Sequence, residues 1–197
     1  MLFRSAFYAV CTNVETGEAV YKQLEKAGQL TYDWIRASAS MPLASKVVEL
    51  EGMKVLDGGV ADSIPLEYFE RIGYERNVVI LTQPEGYSKE HNPLMPLMRV
   101  ALRKYPLMIE AMDKRHLMYN DELEYVRQAE REGRCLVIRP LEKLPIGHFS
   151  HDPEEMQRVY DIGTETGKKF LEELNCFFEA EKTRKQGIKL PKLINKP

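Results

Sequence analysis

In the stretch LDGGVADSIPL, residues 56–66, an aspartate and two glycines stand between a short apolar run and a proline-led helical pattern. Asp-Gly is a favoured turn pair, because glycine takes the positive φ that such turns need. A carboxylate at the carboxyl end of the strand MKVL also stands where parallel α/β sheets place their working residues. Gly58 and Gly59 would let a substrate or a second loop approach the backbone closely. Taken alone, Asp57 reads more readily as the head of a turn than as a catalytic carboxylate, although its position favours function.

Other residues with chemical potential carry less. His148 and His151 stand in a loop without nearby cysteines, and H-E-x-x-H is absent, so no metal site is expected. The run GTETGK, residues 163–168, looks like a phosphate loop. Its glycine spacing is one residue short, Lys169 stands where Ser or Thr should hold magnesium, and the surrounding pattern is helical. Met95, Met98, Met108, Met112 and Met118 could line an acyl-chain channel, since thioethers adapt to varied apolar shapes, but helical spacing points to core packing.

The elements that would position these residues follow from local pattern. Ala6–Cys11 is an apolar strand, Asn13–Gly17 supplies turn chemistry, and Glu18–Tyr21 returns as a second strand. Thr31 caps a helix through Trp34 and Ile35 to Ser40, which Pro42 ends. Val47–Leu50, Glu51-Gly52 and Met53–Leu56 read as strand, turn, strand. Pro65 opens a short helix through Ile72 with Gly73 as its stop, and Asn77–Thr82 is a β-branched strand. Strand, helix, buried strand predicts a parallel α/β sheet. Between Pro93 and Gly133 two helices break near Pro106; Arg134–Arg139 is one more strand; Asp152-Pro153 opens a long helix towards Phe178.

Composition narrows the classes. The chain has 197 residues, 44% hydrophobic and 29% charged, which suits a soluble globular protein. A formal net charge of -2 argues against nucleic acid as partner, because phosphate neutralisation needs a basic surface. Cys11, Cys135 and Cys176 are far apart, with no C-x-x-C, and read as reduced thiols. No apolar run reaches the roughly 18 residues of a membrane span, and no signal peptide is read, so a cytoplasmic location is expected. Lys182, Arg184, Lys185, Lys189, Lys192 and Lys196 mark a basic, flexible tail that could give a peripheral membrane contact. The strand begins abruptly, and Leu2–Ser5 (LFRS) also reads as a translated sequencing adapter, so a truncated upstream sequence is expected.

Three stretches in order, TNVETGEAVY, RASASMPL and LDGGVADSIPL, resemble the carboxyl-terminal half of the patatin-like phospholipase domain, in a bacterial subgroup that continues into a helical extension. D-G-G after A-S-A-S-x-P at this interval is far more specific than either alone. The resemblance implies an α/β fold: part of a patatin-like three-layer sandwich (residues 1–90), a mainly helical extension with one strand (91–180) and the basic tail (181–197). It further implies a serine acyl hydrolase with a Ser-Asp dyad, Asp57 being the base, Gly58 and Gly59 completing the motif, and no cofactor or metal being used. A carboxylate is a weak base in water; a low-dielectric enclosure strengthens it, and a well-placed base is worth roughly 10²- to 10⁴-fold. Ala37–Ser40 implies close packing beside the site rather than chemistry.

The nucleophile's G-x-S-x-G and the glycine-rich oxyanion loop occur nowhere in the 197 residues, and Ser38, Ser40 and Ser63 lack the flanking glycines of an elbow. The chain is therefore expected to be an inactive fragment of a hydrolase whose full-length parent takes a lipid or ester substrate. The alternative is a complete non-catalytic binding or scaffold module.

Overall fold

The computed structural model describes residues 2–147 and 150–185, with side chains from Ser5 to Gly147 and from Ser150 to Glu179. His148 and all but the first five residues of the 181–197 tail lie outside the described residues. The chain folds as two compact units: residues 1–72 with 88–127, and residues 73–87 with 128–197.

The first unit is built on an antiparallel sheet of four strands, β1 (Leu2–Asn13), β2 (Ala19–Lys26), β3 (Val48–Leu50) and β4 (Met53–Asp57), in the order β2-β1-β4-β3. The β1–β2 hairpin closes as its sequence predicts: Asn13 N–H donates to Glu18 O and Gly17, at φ 74°, donates to Asn13 O. Glu51 and Gly52, both at positive φ, turn β3 into β4. Pairing places Cys11 opposite Asp57 and Thr12 opposite Leu56, which brings the end of β4 beside the carboxyl end of the hairpin's first strand.

Helix α1 (Gln29–Ser38) buries Trp34 and Ala37 against Ala9, Cys11, Leu24 and Val55. Thr31 is not its cap. It lies inside the first turn, and its hydroxyl donates to Lys26 O at 2.7 Å, tying the helix to the end of β2. After β4 come α2 (Leu66–Arg71), α3 (Met95–Ala101) and α4 (Pro106–Arg131), the last belonging to the first unit as far as Arg127. Met95, Met98, Met108 and Met112 are buried with Val14, Leu56 and Val60, so these four methionines are core. Residues Leu56 and Val60 flank the Asp-Gly-Gly turn, and their burial anchors it from both sides.

The predicted parallel pairing across α2 does not form. β4 is antiparallel to both of its neighbours, whereas β5 (Asn77–Ile80) belongs to the second unit and pairs in parallel with β6 (Cys135–Ile138). A run of β-branched residues specifies a buried strand; it does not specify the partner.

In the second unit, Asp152 caps α5 (Pro153–Lys169) by accepting from Glu154 N–H at 3.0 Å, and Pro153 occupies the first turn. The predicted single helix breaks at Phe170, and α6 (Leu171–Lys185) follows. Arg76 lies over the Phe177 ring at 3.9 Å. Arg139 pairs with both Glu85 and Glu130.

Candidate functional site: the Asp57 turn

Asp57 is the last residue of β4, and a single 3-10 turn, Gly58–Val60, follows it. Its carboxylate Oδ1 accepts from Gly59 N–H at 2.7 Å, so it caps the turn that it begins. The turn that the sequence predicts is thus formed, with Asp57 at its head. The Asp57 backbone is held on both sides: its N–H donates to Ser40 O at 2.9 Å, and its carbonyl accepts from Thr12 Oγ1 at 2.7 Å. Thr12 is fully buried, and its hydroxyl also accepts from Ala61 N–H at 3.2 Å, so one side chain spans the turn. The Ala37–Ser40 helix end therefore does pack beside Asp57, through a main-chain carbonyl.

The glycines are dictated by space. A β-carbon on Gly58 would lie 2.2 Å from Val10 O and 2.5 Å from Val10 C, which are backbone atoms that cannot step aside. At Gly59 a β-carbon would meet Asp57 Oδ1 at 3.2 Å and Arg115 Nη2 at 3.3 Å. Gly58 admits the neighbouring strand; Gly59 leaves room for a carboxylate and a guanidinium side by side.

Arg115 comes from α4. Its Nε donates to Gly59 O at 2.6 Å, and Ser63 Oγ donates to the same carbonyl at 2.7 Å. One turn past Met118 on the same helix, the Glu122 carboxylate accepts from Ser63 N–H at 3.0 Å and from Ile64 N–H at 3.1 Å. Glu122 also faces Asp62, whose other partner is the Tyr21 hydroxyl. Burial, then the neighbouring Asp62 charge, raises Glu122 to about 8. Burial and the Asp62 hydrogen bond push the Tyr21 phenol up as well.

A pocket of about 490 Å³ opens on this side of the turn, lined by Tyr21, Asp62, Glu67, Met118, Glu122 and Tyr125 among others. Asp57 does not line it. Met118 is thus the methionine of the stripe that borders a pocket, while the other four pack inside.

Neither serine near the turn is placed as a nucleophile. Ser40 is buried and donates to Arg36 O at 2.8 Å, and Ser63 is committed to Gly59 O. Cys11, opposite Asp57, is no substitute: burial, then the Asp57 charge, pushes its thiol up to about 12, which disfavours the thiolate that attacks. No group of three or more metal-ligating side chains occurs among the described residues. GTETGK lies wholly within α5, and a helix interior cannot wrap a phosphate with its amides. No helix among the described residues is long and apolar enough to cross a membrane.

The described elements form a mixed α/β fold in which Asp57 ends a strand and heads a 3-10 turn. Residues 5–70 match the patatin-like phospholipase family, and residues 105–179 match a domain of unknown function, DUF6363. The lysophospholipase nte1 of Aspergillus niger is 27% identical over 184 residues, and its namesake in Coccidioides immitis 25% over 182; each alignment takes in 85% of this chain and 11% of the fungal protein. YjjU of Escherichia coli, an uncharacterized protein, is 29% identical over 145 residues, or 71% of this chain and 40% of its own length. The match to the patatin-like phospholipase family thus falls on the region that holds the three stretches, and the homology is to a family of lipid hydrolases. The chain spans 11% of the length of the fungal lysophospholipases that it matches.

Arg115, Glu122 and Thr12 were not singled out by the sequence. Thr12 stands next to the hairpin turn, where a hydroxyl is unremarkable. Arg115 and Glu122 are spaced by seven, which puts them on one helix face, but such pairs normally mark a solvated surface.

Proposed function

We propose that this chain is the carboxyl-terminal portion of a patatin-like serine acyl hydrolase acting on lipids or small esters, with Asp57 as the base of a Ser-Asp dyad. The observation that carries it is the Asp57 carboxylate: Oδ1 is tied to Gly59 N–H, while Oδ2 accepts no hydrogen bond among the described residues and can take a serine proton. The dyad's serine belongs to a G-x-S-x-G elbow in a longer polypeptide. That elbow and its oxyanion donors would complete a three-layer sandwich over residues 1–90, to which 91–180 is the helical extension and 181–197 the tail. The names of the fungal relatives support a lysophospholipid as substrate; a cytoplasmic protein with a peripheral membrane contact belongs to the same proposal. No cofactor enters the reaction.

The 197-residue chain should not turn over a short-chain chromogenic ester, and release of chromophore above buffer would reject the absent-nucleophile account. The longer protein encoded at its locus should hydrolyse lysophospholipid. Asp57→Asn in that protein should lower kcat by roughly 10²- to 10⁴-fold with melting unchanged, and undiminished activity would reject Asp57 as base. A locus with no in-frame G-x-S-x-G would favour a non-catalytic scaffold instead.

A further inference from the structure

We infer that Arg115 and Glu122, on the helix that opens the DUF6363 region, are positioning residues that clamp both ends of the loop, residues 59–64, that follows Asp57. The inference rests on Asp57 being the base.

Seven residues are nearly two helical turns, so the two side chains leave α4 on one face, separated by about 10 Å along its axis. The loop from Gly59 to Ile64 lies across that face. Arg115 takes its first carbonyl, and Glu122 takes its last two amides. The Gly59 residue is therefore fixed twice, its N–H by Asp57 Oδ1 and its C=O by Arg115 and Ser63. Rotating the Asp57 carboxylate away would break the first bond, and rotating Gly59 to follow it would break the others. A lysine could not reproduce the Arg115 contact, because the donor to Gly59 O is the inner Nε of a planar guanidinium, whereas a lysine ammonium stands at the end of a flexible stem.

The Glu122 end has a second property. Asp62 Oδ1 is buried and has no hydrogen-bond donor among the described residues, although the Glu122 carboxyl is its neighbour. A proton on Glu122 supplies that donor, and its loss sets two carboxylates against each other. The groups around Glu122 are Tyr21 from β2, Asp62 from the loop, Glu67 and Arg71 from α2, and Asp121 and Tyr125 from α4 itself; around Arg115 the charged neighbour is Lys89. The positive charge of Arg71 acts on Tyr21, whose proton affinity it lowers. Because the carboxyl's proton affinity is raised on folding, the clamp is complete at low pH. Its contribution fades as pH rises from the ordinary carboxylate value of 4.5 through about 8.

The test uses the 197-residue chain and its backbone amide NMR signals. Gly59, Ser63 and Ile64 should shift together with a midpoint near pH 8, and Glu122→Gln, whose amide supplies the same acceptor and a permanent donor, should hold them still across that range. Amides that do not titrate in the unsubstituted chain would overturn the clamp without any variant. In the longer protein, Arg115→Lys should lower kcat about 10- to 100-fold with KM little changed, since a misplaced base costs rate rather than binding. Loss of activity in Asp57→Asn but not in Arg115→Lys would refute the clamp alone; activity kept in Asp57→Asn would refute the base assignment beneath it.

Discussion

Two glycine-bearing motifs in this chain both look chemical at first sight and end in opposite states. LDGGV closes a strand, and its glycines are packed against Val10, Asp57 and Arg115. GTETGK lies inside α5, where a β-carbon on Gly163 or Gly167 would meet nothing within 4 Å. The difference is what precedes each motif. β4 delivers Asp57 to a fixed point through paired hydrogen bonds, whereas a helix spends its amides on its own carbonyls and has none to offer a ligand. Glycine marks a site only where something must come close.

The comparison can be broken at the glycines first. Gly58→Ala should cost about 3 kcal/mol or more, because Val10 backbone must move, and melting should fall by roughly 6–12 °C. Gly163→Ala should instead raise stability by up to about 1 kcal/mol, since alanine is the better helix former and the space is open. Equal effects would mean that the Asp57 turn is no tighter than a helix surface.

Methionines sharpen the same contrast at smaller scale. Met108 is completely buried beside Leu56 and Val60, so Met108→Ala should cost about 2–4 kcal/mol in chemical denaturation. Met156 in α5 is 54% exposed, and Met156→Ala should stay within about 0.5 kcal/mol. A small Met108 effect would argue that the core under the turn is loose. The cap of α5 lies between these two: Asp152→Ala should remove about 1 kcal/mol, seen as a lower melting temperature.

Local chemistry carried much of the fold in the sequence. The hairpin at Asn13–Gly17, the α2 helix between Pro65 and Gly73, the break before Pro106 and the Asp152-Pro153 start of α5 form where their residues predict, because each signal acts within a few residues. Errors came where the deciding partner is distant. Thr31 has the right side chain for a cap, yet Lys26 O at the end of β2 claims it. β4 and β5 share a strand pattern but belong to different sheets. Phe170, where the long helix breaks, is preceded by no proline and by no glycine closer than Gly167.

The candidate site divides in the same way. Asp57, Gly58 and Gly59 were legible from the Asp-Gly-Gly pattern and its resemblance, because a tight turn writes its needs into adjacent residues. The turn's other supports are Thr12, 45 residues before Asp57 in the chain, and Arg115 and Glu122, whose contacts reach back 56 to 59 residues. What the sequence by itself determined is that a carboxylate and two glycines stand at the end of a strand. That α4 should hold this turn was decided only by tertiary structure, since a charged pair at helical spacing acquires its role from the backbone groups that folding lays across it.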